Sequence, residues 1–233
     1  MVPQFDLLWE ELTPGEHVRL FAQLKGINLQ LVPELVHQHL ALVGLADVAG
    51  SLTRSLSGGM KRRLSLTLGG VGNPRLVILD EPTTGMDPIS RREAWRFIHL
   101  LREQRAVLLT THSMEEADAL CDRIAIIKEG SLQCVGTALA LKTVYGAGYH
   151  VQLVATASEN TPSVVHLFKQ LAPSATLLSQ SGGSIFFAVP ASEVEPCFRV
   201  LEADSSSPQL AAMVSDVAVA YSSLEEVFLK VTA

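Results

Sequence analysis

The stretch Leu76-Val77-Ile78-Leu79-Asp80-Glu81-Pro82-Thr83-Thr84-Gly85-Met86-Asp87 decides how the rest of the chain is read. Four consecutive branched aliphatics predict a short strand buried on both faces, as in a parallel sheet. The strand runs straight into two carboxylates and is stopped by Pro82, which has no N–H to give a ladder. In an open α/β sheet the ligand crevice lies at the carboxyl ends of the strands, so acids placed there stand where chemistry takes place. Adjacent strand residues face opposite sides, which divides the tasks: Asp80 suits Mg²⁺, directly or through water, and Glu81 suits an attacking water beside a phosphate. The plainer alternative is a solvated acidic turn.

Working back toward the N-terminus, Leu56-Ser57-Gly58-Gly59-Met60-Lys61-Arg62-Arg63 combines an N-cap serine, two glycines that allow close backbone approach, and a helix start rich in basic residues. Free N–H groups at a helix start attract anions. Basic residues there oppose the dipole, so their placement is expected to serve a phosphate. Earlier still, Thr13-Pro14-Gly15-Glu16 is a capping box with proline at the first helical position, predicting a helix through Leu24 that Lys25-Gly26 ends. A second helix is expected from about Pro33 to Val43, stopped by Gly44. His37 and His39 read as surface groups of that helix rather than as metal ligands.

Working forward, Asp87 caps a helix with Pro88 at its first position, expected to continue to about Gln104. Arg91, Arg92, Arg96, Arg102 and Arg105 read as its solvated face. The strand Ala106–Thr111 then ends at His112, and Ser113 with Glu116 forms the next capping box. Strand, polar residue at the carboxyl end, helix: the order repeats, and it places His112 in the same crevice as Glu81.

Together these residues resemble the ATP-binding cassette (ABC) ATPases. Leu56 to Met60 is similar to their signature motif, Leu76 to Glu81 to their Walker B strand, Gly85-Met86-Asp87 to their D-loop and His112 to their switch histidine. Pro3-Gln4-Phe5-Asp6 resembles their Q-loop, with Gln4 the matching glutamine. The wording is most similar to the A subfamily of eukaryotic lipid-exporter type, in Phe5 to Trp9, Gly59 to Arg63, Thr83 to Pro88 and Ser223 to Phe228. Met60 stands where other subfamilies usually have glutamine. The resemblance implies a partial P-loop NTPase sheet with a helical subdomain at 1–145, and a small α+β ferredoxin-like regulatory domain at 146–233. It also implies ATP and Mg²⁺ as ligands. The catalytic residues are then Glu81, His112 and Gln4, with Asp80 and Gln4 holding Mg²⁺ and its waters. Ser57, Gly58, Gly59 and Asp87 face nucleotide across a head-to-tail dimer of such domains.

One element of the family is missing. No GxxxxGK[ST] loop occurs in the 233 residues, so the Walker A phosphate cradle, its lysine and its Mg²⁺-holding hydroxyl are not supplied. The chain reads as the back portion of a nucleotide-binding domain, inactive in hydrolysis by itself, whose uncovered strands predict poor solubility alone.

Composition agrees with a globular chain: 48% hydrophobic, 18% charged, mean hydropathy +0.28. No uninterrupted apolar run reaches the ~18 residues of a membrane span, and no signal peptide opens it. A net charge of −6 and pI near 5.6 argue against a nucleic-acid binder. The acidity is concentrated late, with 15 basic and 16 acidic residues up to Val144 but 3 and 8 after it. Cys121, Cys134 and Cys197 are odd in number and widely spaced, which predicts reduced thiols.

After His112, a hairpin of Arg123–Lys128 and Ser131–Val135 and a helix Thr137–Tyr145 are expected. From Tyr149 the pattern becomes strand 149–156, helix 162–171, strands 175–180 and 184–190 around Ser181-Gly182-Gly183, helix 191–203 and strand 212–219. This is a split βαβ order, closed by a helix at Ser223–Val231. The functional expectation is an ATP-binding and ATP-hydrolysing domain powering transport, of lipid by the resemblance. Its partners would be a second nucleotide-binding domain and the transmembrane domains of the same transporter, and the membrane would be reached through segments absent from this chain. The alternative is a truncated, non-catalytic cassette that serves a partner or regulates it.

Overall fold

In the computed structural model, which describes residues 1–195 and 208–233, the chain forms two compact units, Met1–Leu120 and Cys121–Ala233. The first opens with helices α1 (Pro14–Leu24), α2 (Val32–Leu42) and α3 (Gly58–Gly70). Strand β1 (Leu76–Asp80), helix α4 (Pro88–Arg102), strand β2 (Ala106–Thr110) and helix α5 (Met114–Leu120) follow. The Thr13 hydroxyl accepts from the Glu16 N–H, and the Glu16 carboxylate accepts from the Thr13 N–H, which completes the expected capping box of α1. Gly26 and Gly44, at φ +73° and +63°, end α1 and α2 in the left-handed region.

β1 and β2 pair in parallel, Leu76 with Ala106 through Asp80 with Thr110. Val2 joins β1 on its other edge: its N–H donates to the Ile78 carbonyl at 2.7 Å, and the Asp80 N–H donates to the Val2 carbonyl at 2.9 Å. One feature of β1 differs from expectation. Val77 and Leu79 are sealed, but Ile78 is only partly buried and Leu76 is 51% exposed. Helix α3 covers one face, and the described residues cover the other only in part. The buried face packs closely because Gly69 has no side chain: a Cβ there would lie 2.5 Å from Val2 Cγ2.

The second unit begins with an antiparallel hairpin of β3 (Ile124–Lys128) and β4 (Ser131–Gly136), then helix α6 (Ala138–Tyr145), capped by Thr137. Next come β5 (Tyr149–Ala155), α7 (Thr161–Leu171), β6 (Thr176–Ser181), β7 (Ser184–Val189), a helix at 191–195 (α8), α9 (Pro208–Met213), β8 (Val214–Tyr221) and α10 (Leu224–Thr232). Their four-stranded sheet is antiparallel throughout, in the order β6-β7-β5-β8. That is the split βαβ arrangement predicted from the sequence. Phe168 of α7 and Phe187 of β7, both fully buried with ring centroids 4.5 Å apart, centre a core with Val151, Leu153, Val164 and Ile185. Of the predicted helix 191–203, the part beyond 195 lies outside the described residues, as does Cys197. α9 occupies 208–211, for which no element was expected, and the first two residues of the expected strand 212–219, which therefore starts at Val214.

Candidate functional site

The parallel pairing of β1 with β2 brings their carboxyl ends together, and the chemistry-bearing residues with them. Asp80 faces Thr110 across the ladder, and the Thr110 hydroxyl donates to Asp80 Oδ1 at 2.6 Å. The ladder runs one residue further, with the Glu81 N–H donating to the Thr110 carbonyl at 3.1 Å. Glu81 then leaves the strand in the left-handed region, at φ +47°, a conformation that costs a side-chain-bearing residue energy and persists where surroundings enforce it. Its Oε2 lies 2.8 Å from His112 Nδ1 and accepts the Thr84 hydroxyl at 2.8 Å. His112 is 74% exposed and Glu81 20%. Gln4 is exposed, two residues beyond the Val2 bridge, so its backbone emerges at the same end of the sheet. Four of the residues singled out in the sequence thus share one strand-end region: Gln4, Asp80, Glu81 and His112.

The others form a second group where α3 and α4 begin. Ser57 caps α3 by accepting the Met60 N–H at 3.3 Å. Asp87 caps α4, its Oδ1 accepting the Ile89 and Ser90 N–H groups at 3.0 Å each. The Ser90 N–H, then the Ser90 hydroxyl, hold the Asp87 carboxyl below its ordinary pKa. The two helix starts touch: a Cβ on Gly59 would sit 2.7 Å from Ser90 Oγ, so a larger residue there would have to displace the Ser90 hydroxyl. Gly58 has open space around it.

A general model of the ABC transporter family matches residues 1–84. The human phospholipid-transporting ATPase ABCA3 is 42% identical over 99% of this chain, and the Dictyostelium discoideum ABC transporter A family member 1 is 37% identical over all of it. The chain belongs to the A subfamily of ABC transporters. It spans 14% of the human relative's length and 27% of the Dictyostelium one. A solved structure of an ATP-binding subunit of an ABC transporter overlays on 62% of the chain and 61% of its own length, with TM-score 0.55 and 28% identity. The A-subfamily assignment and the ABC ATPase fold therefore agree.

Within this A-subfamily cassette, the basic helix start is used differently from the phosphate partnership the sequence suggested. Arg62 and Arg63 are 5% and 8% exposed. The Arg62 guanidinium donates to the carbonyls of Pro3, Asp80, Glu81 and Pro82 and to the Asp6 carboxylate. Arg63 donates to the Val43 carbonyl at 2.7 Å and pairs with Glu93 at 2.5 Å. Lys61 reaches Glu10 at 3.7 Å. Protein groups, not a phosphate, account for these cations. The Ser113 capping box is also half formed. Ser113 accepts the Glu116 N–H, but the buried Glu116 carboxylate accepts the Thr83 hydroxyl at 2.7 Å and the Trp95 indole N–H at 3.2 Å. It thereby anchors the turn after β1 to α4 and α5. The α4 arginines are mixed: Arg92 and Arg96 are solvated as expected, while Arg91 lies 3.8 Å from Glu115 and 6.0 Å from the Trp95 ring centroid.

The roles of Thr110 and Thr84 were not read from sequence, and Arg62 was read only as part of a phosphate-serving helix start. Thr110 carries a readable signal, because strand register alone puts it opposite Asp80. The carbonyl-binding role of Arg62 carries none, since its acceptors are 18 to 59 residues away.

Proposed function

We propose that this chain supplies the Walker B, signature and switch elements of a nucleotide-binding domain that hydrolyses ATP to drive transport, with phospholipid as the transported class. The observation that carries the reading is the Glu81 carboxylate held 2.8 Å from His112 Nδ1 at the shared carboxyl ends of two parallel strands. The transported class follows the phospholipid-transporting ATPase at 42% identity. We assign residues 1–145 to the ATPase portion and 146–233 to the regulatory domain, so β3, β4 and α6 count with the ATPase portion although they fall in the second compact unit.

The residues fit Mg²⁺-ATP in kind. Mg²⁺ is usually held by one or two carboxylates, with phosphate and water completing its shell, so Asp80 with Gln4 suffices from this side. Bound Mg²⁺-ATP supplies the γ-phosphoryl group and the charge that makes its hydrolysis possible. Glu81 orients and polarises the attacking water, His112 donates toward the γ-phosphate, and Thr110 orients Asp80. Ser57, Gly58 and Gly59 present hydrogen-bond donors at the start of α3 to nucleotide held by a second nucleotide-binding domain, and Asp87 couples the two sites. The Walker A loop and the transmembrane segments that place the domain at a membrane come from outside these 233 residues. Among the described residues no helix is long and apolar enough to cross a membrane.

The test is Glu81→Gln in the intact protein. ATP turnover is expected to fall by about 10²-fold or more with ATP binding kept; unchanged turnover overturns the role of Glu81. The absence of a GxxxxGK[ST] loop favours a second reading, a non-catalytic cassette that serves a partner's nucleotide. An intact protein without Mg²⁺-ATP affinity that still changes a partner's ATPase rate would establish it.

A further inference from the structure

The Arg62 side chain spends every N–H it has. Nε donates to the Pro82 carbonyl at 2.8 Å. Nη1 donates to the Pro3 carbonyl at 2.7 Å and to Asp6 Oδ1 at 3.1 Å, and Nη2 donates to the Asp80 and Glu81 carbonyls at 2.9 Å each. A guanidinium has five donors in a fixed planar fork, and all five are taken inside the protein by a residue 5% exposed. The acceptors fall into two groups. Pro3 and Asp6 flank Gln4. Asp80, Glu81 and Pro82 are three consecutive carbonyls spanning the residue that sits at φ +47°. These three carbonyls converge on one cation at the point where the chain turns left-handed, and the three charge-assisted bonds favour that turn.

We propose that Arg62 is a positioning residue of the hydrolytic site, which couples the Gln4 segment to the peptide that aims Glu81. This rests on the ATPase reading above and deepens it. The guanidinium touches neither the Glu81 carboxylate nor His112; it acts on the backbone that carries Glu81. Because the fork holds both segments at once, a displacement of Pro3–Asp6 moves the Glu81 carbonyl, and disturbance at Glu81 is felt at Gln4. The Val2 bridge closes the same loop from the other side, with Asp80 N–H on the Val2 carbonyl. A lysine at position 62 keeps the charge but offers only one small ammonium group, which cannot span acceptors on both segments.

The experiment compares Arg62→Lys and Arg62→Gln with the unchanged intact protein. Two readouts are taken: ATPase kinetics, and amide hydrogen exchange in peptides spanning 2–6, 79–84 and, as a reference, 94–101 of α4. Both variants are expected to lower kcat by about tenfold or more while KM for ATP changes less than about threefold. Exchange is expected to rise together in 2–6 and 79–84 and to stay unchanged in 94–101. The lysine variant is expected not to restore the coupling. The proposal is overturned if Arg62→Lys retains full kcat, if only one of the two segments loosens, or if exchange rises equally in 94–101, which would make Arg62 a general stabiliser. If the unchanged intact protein hydrolyses no ATP, the ATPase reading fails and with it the catalytic half of this proposal. Joint loosening of 2–6 and 79–84 would then still establish the mechanical coupling, and independent loosening would overturn it.

Discussion

At the scale of single residues, buried polar groups set how the first unit responds to pH. His17 is fully buried, with Nδ1 2.9 Å from the Thr13 carbonyl and Nε2 accepting the Trp9 N–H at 2.9 Å. Nδ1 therefore carries the proton and the ring is neutral, since a second proton would break the Trp9 bond. Burial pushes the His17 pKa below its ordinary value, and His39 is lowered for the same reason. A histidine with a lowered folded pKa binds protons more readily when unfolded. Its neutral form thus gives full stability above the unfolded value of about 6.5, and stability is lost as pH falls from there toward the folded pKa. The urea midpoint is expected to be flat from pH 8 to 7 and to drop between pH 6.5 and 5. His17→Gln should lower the plateau and flatten the slope; an unchanged slope would exclude His17 as its source.

At the scale of elements, what was legible in the sequence was what is local. Capping boxes, proline at helix starts and glycine at helix ends located α1, α2 and α4 within two residues, because each signal and its partner lie within one turn. The strand-end acids and His112 were legible through strand order. What the sequence did not reveal is long-range: the carbonyls that consume Arg62 and Arg63, the use of Glu116 by Thr83 and Trp95, and the half-open face of β1. A basic helix start looks the same in sequence whether its charge meets a phosphate or the protein's own carbonyls. Close approach of elements is testable at Gly69. Gly69→Ala would put a methyl 2.5 Å from Val2 Cγ2 and is expected to cost about 1–3 kcal/mol by overpacking. Val2→Ala in the same chain removes that methyl contact and should recover part of the loss. Additive losses in the double variant, measured by chemical denaturation, would show that α3 and the Val2 segment do not meet as described.

At the scale of the whole molecule, the two units carry separate cores, and a lesion in one is expected to be read there. Phe168→Ala removes a fully buried ring packed at a tilt against Phe187 and should cost about 3–5 kcal/mol. Calorimetry should show the transition of Cys121–Ala233 lowered while that of Met1–Leu120 keeps its midpoint; an equal shift of both would mean that the chain melts as one. The Arg62 fork also bears on how freely the chain can change its sequence. Four of its five acceptors are main-chain carbonyls, a group that every amino acid supplies. Substitution at positions 3 and 80–82 therefore leaves the acceptors in place wherever the backbone path survives, whereas no other side chain at 62 offers five donors in one planar fork. Tolerance and intolerance are thus divided unequally between the two sides of one interaction: as far as the fork alone is concerned, a saturation scan would find positions 3 and 82 permissive and position 62 exacting.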